Sequence, residues 1–200
     1  MFDFANSSFT TVMVTAFFSL YFQKHVVPAD WAGGQWIADL FAKLGMAGVA
    51  EKVRGVTDWG SVLWGLAGGL GAGLVMVTAP LMGALADFSG AKKKFLFATY
   101  LGCGVGTFLL AFVARPGWVV PTVLLFVIAN FCFLSGENFI SAFLPEIAPP
   151  ELMGRLSGIA WGCGYIGGIG SLVLSVAILG AMGDVDPATG SLGGYPYVWA

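Results

Sequence analysis

Charged side chains are scarce in this chain of 200 residues: they make up 10% of it, while 58% of the residues are hydrophobic. Soluble domains carry about 25% charged residues. A soluble domain of this composition would have almost no polar surface to present to water, so that class is excluded. The formal net charge of −2 also argues against a nucleic acid as a partner. We therefore expect the lipid bilayer to surround most of the chain.

Residues that bind metals or act as nucleophiles are equally few. His25 is the single histidine, without metal-ligand spacing or a nucleophile motif around it. Cys103, Cys132 and Cys163 each lie alone in an apolar run, which is typical of small buried hydrophobic residues. The run 162–167 matches the dinucleotide fingerprint but lacks the preceding strand that this motif needs. We expect no enzyme activity, no metal and no cofactor.

Long apolar stretches with polar connections predict a multi-span helical bundle. Five stretches are long enough to cross a membrane: about 4–22, 59–86, 95–114, 119–144 and 156–182. Spanning segments must satisfy their backbone hydrogen bonds internally, and these stretches have helical length. The predicted fold class is therefore an all-α membrane protein, in which residues 183–200 begin a polar outer loop.

The connection between the first two stretches is the longest, and part of it has a helical period. Within about residues 35–54, Ile37 and Leu40 fall on one face, while Asp39 and Lys43 form an i,i+4 pair on another. Tryptophans flank this connection: Trp31, Trp36 and Trp59. The pattern is typical of an amphipathic helix in the membrane interface. The alternative is a lid over a route through the membrane.

Two of the five stretches carry a polar face. Polar side chains recur at helical spacing in the first and the fourth: Asp3, Asn6 and Thr10, and then Asn130, Glu137 and Asn138. A polar group in lipid must find a partner or line water, so such faces point into a bundle or a cavity. We expect these two helices to line a route, with the six residues as candidates for the path of a substrate or a proton.

Glu137 is the single acidic residue inside a predicted span. It lies about two turns before Pro145, about 10 Å from that helix end at 1.5 Å per residue. An acid at the centre of the bilayer costs about 2.5–3.5 kcal/mol on insertion scales, and no lysine or arginine lies within a predicted span. We interpret Glu137 as a proton-coupling or substrate-amine-binding residue. The alternative is a structural acid, hydrogen-bonded to a neighbouring helix or paired with a cation from outside this chain.

The connection between the second and third stretches is short and basic. Gly83 and Asp87 are four residues apart, on one helix face, and Gly90 can adopt the left-handed conformation that ends a helix. Lys92 and Lys93 open a run of three lysines, and the next apolar stretch follows at once. The sequence therefore predicts a tight basic turn between two membrane spans.

This spacing resembles the loop between the second and third helices of major facilitator transporters, on the cytoplasmic side. Phe88 and Ala91 stand where that loop commonly has a basic residue. The resemblance, rather than the count of positive charges, fixes the orientation. It implies that Asp87, with the lysines and with Arg155 near the same membrane face, belongs to a charge latch that holds the cytoplasmic side closed. The alternative to the family loop is a basic turn that only anchors two helices at the lipid headgroups, and the alternative to the latch is a solvated acid at the helix end, worth under about 1 kcal/mol.

Other stretches resemble the vacuole-effluxer-like branch of this superfamily: 3–7, 143–148, 154–158 and 164–168. Two of them place Glu146 and Arg155 in a second cytoplasmic loop. This branch contains fungal vacuolar amino-acid exporters and bacterial relatives of unassigned substrate. Its members have twelve spans in two halves, so the resemblance identifies the chain as an N-terminal part, trimmed at its front, whose partner is the missing C-terminal half.

The function that the resemblance implies is secondary active transport of a small solute by alternating access. Amino acids are a candidate solute and protons a candidate coupling ion. The alternative is a membrane-embedded receptor or assembly subunit that binds a ligand without moving it. We expect a multi-pass integral membrane protein of the bacterial inner (plasma) membrane, or of an organelle membrane if the source is eukaryotic.

Overall fold

The computed structural model describes residues 6–28 and 31–181. All regular secondary structure in these two ranges is helical, so the predicted all-α fold class is confirmed. Asp3 and the predicted outer loop 183–200 lie outside the described residues.

Short helices precede long ones along the chain. Three consecutive segments, together called the N-terminal helix, cover Phe9–Ala16, Phe17–Tyr21 and Phe22–Val26, and the outer two are π-helical. Two short helices follow, α1 (Gly33–Lys43) and α2 (Ala47–Arg54). The long helices are α3 (Trp59–Ser89), α4 (Lys92–Val113), α5 (Val119–Ile147) and α6 (Pro150–Ala181).

Among the described residues, the four long helices α3–α6 have the length and apolar composition needed to cross a membrane. Their large apolar side chains lie on the outside: Met76 is 82% exposed and Leu81 is 71% exposed. So much exposed apolar surface is stable only in lipid, and the chain is a multi-pass membrane protein. The N-terminal helix, which covers most of the described part of the predicted first span, is not one of the four.

The described residues fall into two compact units, one of residues 6–20 and 141–181 and the other of residues 21–28 and 31–140. In the second unit, Phe22 packs on Trp64 of α3 with ring centroids 5.5 Å apart. Trp64 in turn packs on Phe126 of α5 at 4.3 Å. Phe22 and Phe126 are each 1% exposed. This aromatic stack joins the end of the N-terminal helix to two membrane helices.

Helices α4 and α5 approach closely within the second unit. A Cβ built on Gly106 of α4 would lie only 3.0 Å from the Cβ of Ala129 on α5. Small residues permit such close approach in lipid, where helices associate through van der Waals packing. In the first unit, a Cβ on Gly168 of α6 would lie 2.6 Å from Thr11 Oγ1 of the N-terminal helix, so that pair also depends on glycine.

The helix boundaries around the predicted second cytoplasmic loop differ from the predicted ones. Helix α5 runs through Pro145 and ends at Ile147, three residues beyond the predicted end. A proline in the last turn removes only one backbone hydrogen bond, so the helix can continue past it. Helix α6 begins at Pro150, six residues before the predicted start. Proline suits the first helical position because its missing N–H would have no partner there.

Candidate functional site

The basic connection between α3 and α4 is only two residues long. Gly90 has φ +62° and ends α3 in the predicted left-handed conformation, with its N–H donating to the carbonyl of Asp87. Only Gly90 and Ala91 separate the two helices, so Lys92 and Lys93 lie in the first turn of α4 rather than in the turn itself. A Cβ built on Gly83 meets no atom within 4 Å, and Gly83 is therefore not required by packing in this part of the chain.

Asp87 and Lys92 form an ion pair across this connection. Lys92 Nζ lies 2.7 Å from Asp87 Oδ1, and the Asp87 side chain is 65% exposed. Both charges are placed against the helix dipole, since acids are unfavourable near a C-terminus and cations near an N-terminus. Local helix stability therefore does not account for these charges. The pairing of the two charges partly offsets their unfavourable interaction with the helix dipoles. Lys93, the next residue of α4, is exposed.

The polar side chains of α5 lie in different environments. Asn130 is 6% exposed, Glu137 is half-buried, and Asn138 is exposed. The helical period placed all three on one face, but burial depends on the neighbouring helix as well as on the period. Glu137 lies ten residues before the end of α5 at Ile147, so at 1.5 Å per residue it is about 15 Å from that end.

Asn130 fits against α3 at a glycine. A Cβ built on Gly71 would lie 2.6 Å from Asn130 Nδ2 and 3.4 Å from its Cγ, so the amide occupies the space that a side chain at position 71 would need. Gly71 itself is buried, whereas Gly73, two residues further along α3, has no atom within 4 Å of its Cβ position. The structure thus gives Asn130 a packing role between α3 and α5.

Replacement of Gly71 tests this contact. We expect Gly71→Leu to destabilise the protein by about 1–3 kcal/mol, the usual cost of overpacking a filled space. The matched control Gly73→Leu adds the same side chain to an open surface and should leave the midpoint of thermal unfolding in detergent nearly unchanged. Asn130→Ala should recover part of the loss when combined with Gly71→Leu. Equal midpoints for the two leucine variants would contradict the contact.

Ser135 was not among the predicted site residues, although it is 4% exposed. Within the described part of the chain its hydroxyl has no hydrogen-bond partner. Its neighbour Gly136 packs against Thr99 and the ring of Tyr100 on α4, with a built Cβ 3.3–3.4 Å from them. A glycine beside a serine is only a weak signal in the sequence for a contact between helices. The helical period adds no signal of its own at Ser135, so the sequence analysis did not identify it.

The predicted residues of the first and last parts of the chain lie in the other unit. Asn6 and Thr10 are half-buried, and Thr10 Oγ1 donates to the carbonyl of Ser7 at 3.0 Å. Glu146 is exposed near the end of α5, and Arg155 is exposed in the second turn of α6. The structure therefore assigns the candidate path residues to two units: Asn6 and Thr10 to one, Asn130, Glu137 and Asn138 to the other.

A polar cluster at the start of α3 was not predicted. Asp58 caps this helix: its Oδ1 accepts from the backbone N–H of Ser61 at 3.0 Å, and its Oδ2 accepts from the Ser61 hydroxyl at 2.6 Å. Gln23 Oε1 lies 3.0 Å from the same hydroxyl. The side-chain and backbone hydrogen bonds from Ser61, and then the charge of Lys24, lower the pKa of Asp58 below its ordinary value. This cluster links the end of the N-terminal helix to α3.

In the part of the chain that the structure describes, four helices suited to crossing a membrane define a multi-pass membrane protein, and an acid pairs with a lysine at the tight turn between two of them. The chain belongs to the vacuole effluxer Atg22-like family, whose model matches residues 1–153. The predicted family is thereby confirmed. The match covers the N-terminal helix, α1–α5 and the whole α3–α4 connection.

A curated relative is also similar. It is the uncharacterized MFS-type transporter YxiO of Bacillus subtilis (strain 168), 28% identical over 181 residues. The alignment covers 90% of this chain but only 36% of the relative. No solved structure matches the chain. The helical architecture fits the N-terminal half of a major facilitator fold, as predicted.

Proposed function

We propose that the full-length protein is a secondary active transporter of a small solute and that this chain forms its N-terminal part. The observation that carries the proposal is the family match over residues 1–153, since the family is described as vacuole effluxer-like. Amino acids are the first solutes to test, because the branch that the sequence resembles contains fungal vacuolar amino-acid exporters. The similarity to a bacterial relative supports the bacterial inner (plasma) membrane as its location.

Two parts of the chain would serve alternating access. We propose that Glu137 and Asn138 on α5, with Asn6 and Thr10 on the N-terminal helix, belong to the path of solute or proton. We propose that Asp87 and Lys92 belong to a latch on the cytoplasmic side. Their 2.7 Å ion pair supports this role, because both charges oppose the helix dipole and so are not explained by local stability.

Counterflow in vesicles tests the transport proposal. Full-length protein is reconstituted into vesicles loaded with an unlabelled amino acid, and a trace of the labelled amino acid is added outside. A transporter exchanges the two, so the label should accumulate transiently above its external concentration. Parallel panels of sugars and drugs test the other solute classes, and protein-free vesicles give the background.

A receptor or assembly subunit is the alternative, and the same vesicles separate it from a transporter. Such a protein would bind label saturably, but the label would not accumulate inside in response to the unlabelled solute. Saturable binding of any solute class without counterflow would contradict the transport proposal. Transport by this family also disfavours an enzyme, because no chemical step on the solute is needed.

A further inference from the structure

Helices α1 and α2 form a preformed hairpin within the second unit. The turn between them contains Gly45 at φ +78°, and the N–H of Met46 donates to the carbonyl of Phe41 at 2.9 Å. Ala38 of α1 is 0% exposed and Ala50 of α2 is 1% exposed, so the hairpin has a close-packed inner face. The predicted single amphipathic segment 35–54 is thus two helices, which lie side by side.

An ion pair joins the two helices of the hairpin on the outside. Arg54 Nη2 lies 2.9 Å from Asp39 Oδ1, and both side chains are more than half exposed. The hairpin therefore keeps its shape through contacts of its own.

The contacts of the hairpin with the rest of the unit hold it against the N-terminal end of α3. Trp31 packs edge-to-face on Trp59 with ring centroids 5.6 Å apart. A Cβ built on Gly34 would collide with the same Trp59 ring, so α1 begins directly against it. Trp59 is the first residue of α3, the first of the four membrane-crossing helices. The hairpin is consequently held against the N-terminal end of α3 by two tryptophans, a residue type that prefers the membrane interface.

One face of α1 is apolar and uncovered in the described part of the chain. Trp36 and Leu40 of α1 and Leu44, directly after its last residue, follow each other at four-residue intervals and are 68%, 42% and 65% exposed. At 100° per residue they form one stripe, called the apolar stripe below. Gln35 and Ala42 lie on the opposite side of the helix, and both are exposed.

We propose that the hairpin docks on the bilayer surface, with the apolar stripe inserted among the lipid headgroups and upper acyl chains. A helix with an apolar stripe and charged flanks suits the membrane interface, where its apolar side is removed from water and its polar side stays hydrated. Lys43 supports this placement, since it borders the stripe and is exposed, so its ammonium group can reach lipid phosphates while its methylenes stay in the apolar layer.

Continuity with the membrane-facing surface of α3 selects lipid over other occupants. Val62 and Leu66, in the first two turns of α3, are exposed on a helix that crosses the bilayer. Because Trp59 is shared by α3 and the hairpin, lipid that covers the start of α3 lies at the same depth as α1. Water would leave three large apolar side chains solvated at an unfavourable free energy.

Site-specific fluorescence tests the docking. Single cysteines at Leu40 and at Leu44 are introduced into the full-length protein, in a background whose other cysteines are replaced, and labelled with an environment-sensitive fluorophore. Since both side chains are exposed, their replacement leaves no cavity in the fold. Gln35→Cys is the matched control for position 40, and Ala42→Cys is the matched control for position 44. Each control lies roughly 140–160° around the helix from its test position at 100° per residue. The protein is reconstituted in vesicles of phosphatidylcholine and phosphatidylglycerol.

We expect blue-shifted emission at positions 40 and 44, strong quenching by lipids with a nitroxide near the headgroup, and loss of quenching by aqueous iodide. The control positions should show the reverse. Equal iodide quenching at all four positions would show that the stripe faces water and would overturn the proposal. Protection from both iodide and nitroxide lipids would show that protein covers the stripe, as a lid would, and would overturn it as well.

Discussion

Glu137→Gln is expected to abolish the response of transport to an imposed pH gradient while solute exchange continues. Glutamine has nearly the shape of a protonated glutamate but cannot release a proton. Glu137 is half-buried on α5, about 15 Å from the helix end at 1.5 Å per residue. A charged carboxyl at such a depth is costly in lipid, so a proton that binds and leaves there can be coupled to a change of access.

The size of this effect follows from the energy of the gradient. If one proton moves with each solute, a gradient of one pH unit can support about tenfold accumulation, because tenfold corresponds to about 1.4 kcal/mol. Wild-type vesicles should approach this ratio, and Glu137→Gln vesicles should stay near equal concentrations inside and outside. Counterflow, which needs no net proton movement, should persist in both.

Glu151→Gln is the matched control for this experiment. Glu151 is an exposed acid in the first turn of α6, so its replacement removes the same charge at the end of a helix rather than in its middle. The control should accumulate solute as the wild type does. If Glu137→Gln also responds to the gradient as the wild type does, Glu137 is not the coupling residue, and a structural role remains for it.

The second large effect is expected from Asp87→Asn, which should slow turnover severalfold without weakening solute binding. If the ion pair with Lys92 stabilises the closed cytoplasmic state by about 1 kcal/mol, its loss changes the population of that state roughly fivefold. Stability should hardly change, because an exposed ion pair contributes only about 0–1 kcal/mol to folding. Lys92→Gln should slow turnover in the same way if the pair itself is what matters.

Asp39→Asn serves as the control for Asp87→Asn. Its carboxylate is 61% exposed and forms an ion pair of 2.9 Å with Arg54, so its burial and geometry resemble those of Asp87. It belongs to the hairpin and not to the α3–α4 connection. Initial rates of exchange, solute affinity and thermal unfolding are measured for each variant. Unchanged turnover in Asp87→Asn, or an equal loss in Asp39→Asn, would leave the α3–α4 pair as a simple headgroup anchor.

The end of α3 was predictable because it depends on local chemistry. Only glycine adopts φ +62° without strain, so Gly90 marks the end of the helix in the sequence as it does in the structure. The helix break inside the 35–54 segment also lies at a glycine with positive φ, Gly45, but the sequence analysis did not predict this break. The apolar period continues across that glycine, and the period alone cannot show that the chain reverses there.

The environments of polar side chains could not be predicted in the same way. Asn130 and Asn138 share a helical face in the sequence, but one is buried and the other is exposed. The difference arises from Gly71, which is far away in sequence and admits the Asn130 amide only because it lacks a side chain. The ion pair of Asp87 with Lys92, in contrast, joins residues close in sequence and could be anticipated from the turn.

The sequence by itself determined the class of this protein, its family and its long helices. This was possible because lipid permits few backbone structures: an apolar stretch of about 20 residues must be helical there. The tertiary structure alone decided which polar side chains pack against a neighbouring helix, and that residues 35–54 fold into a hairpin beside Trp59. Both outcomes depend on contacts between residues distant in sequence, where a missing Cβ or a single ring sets how closely two helices approach.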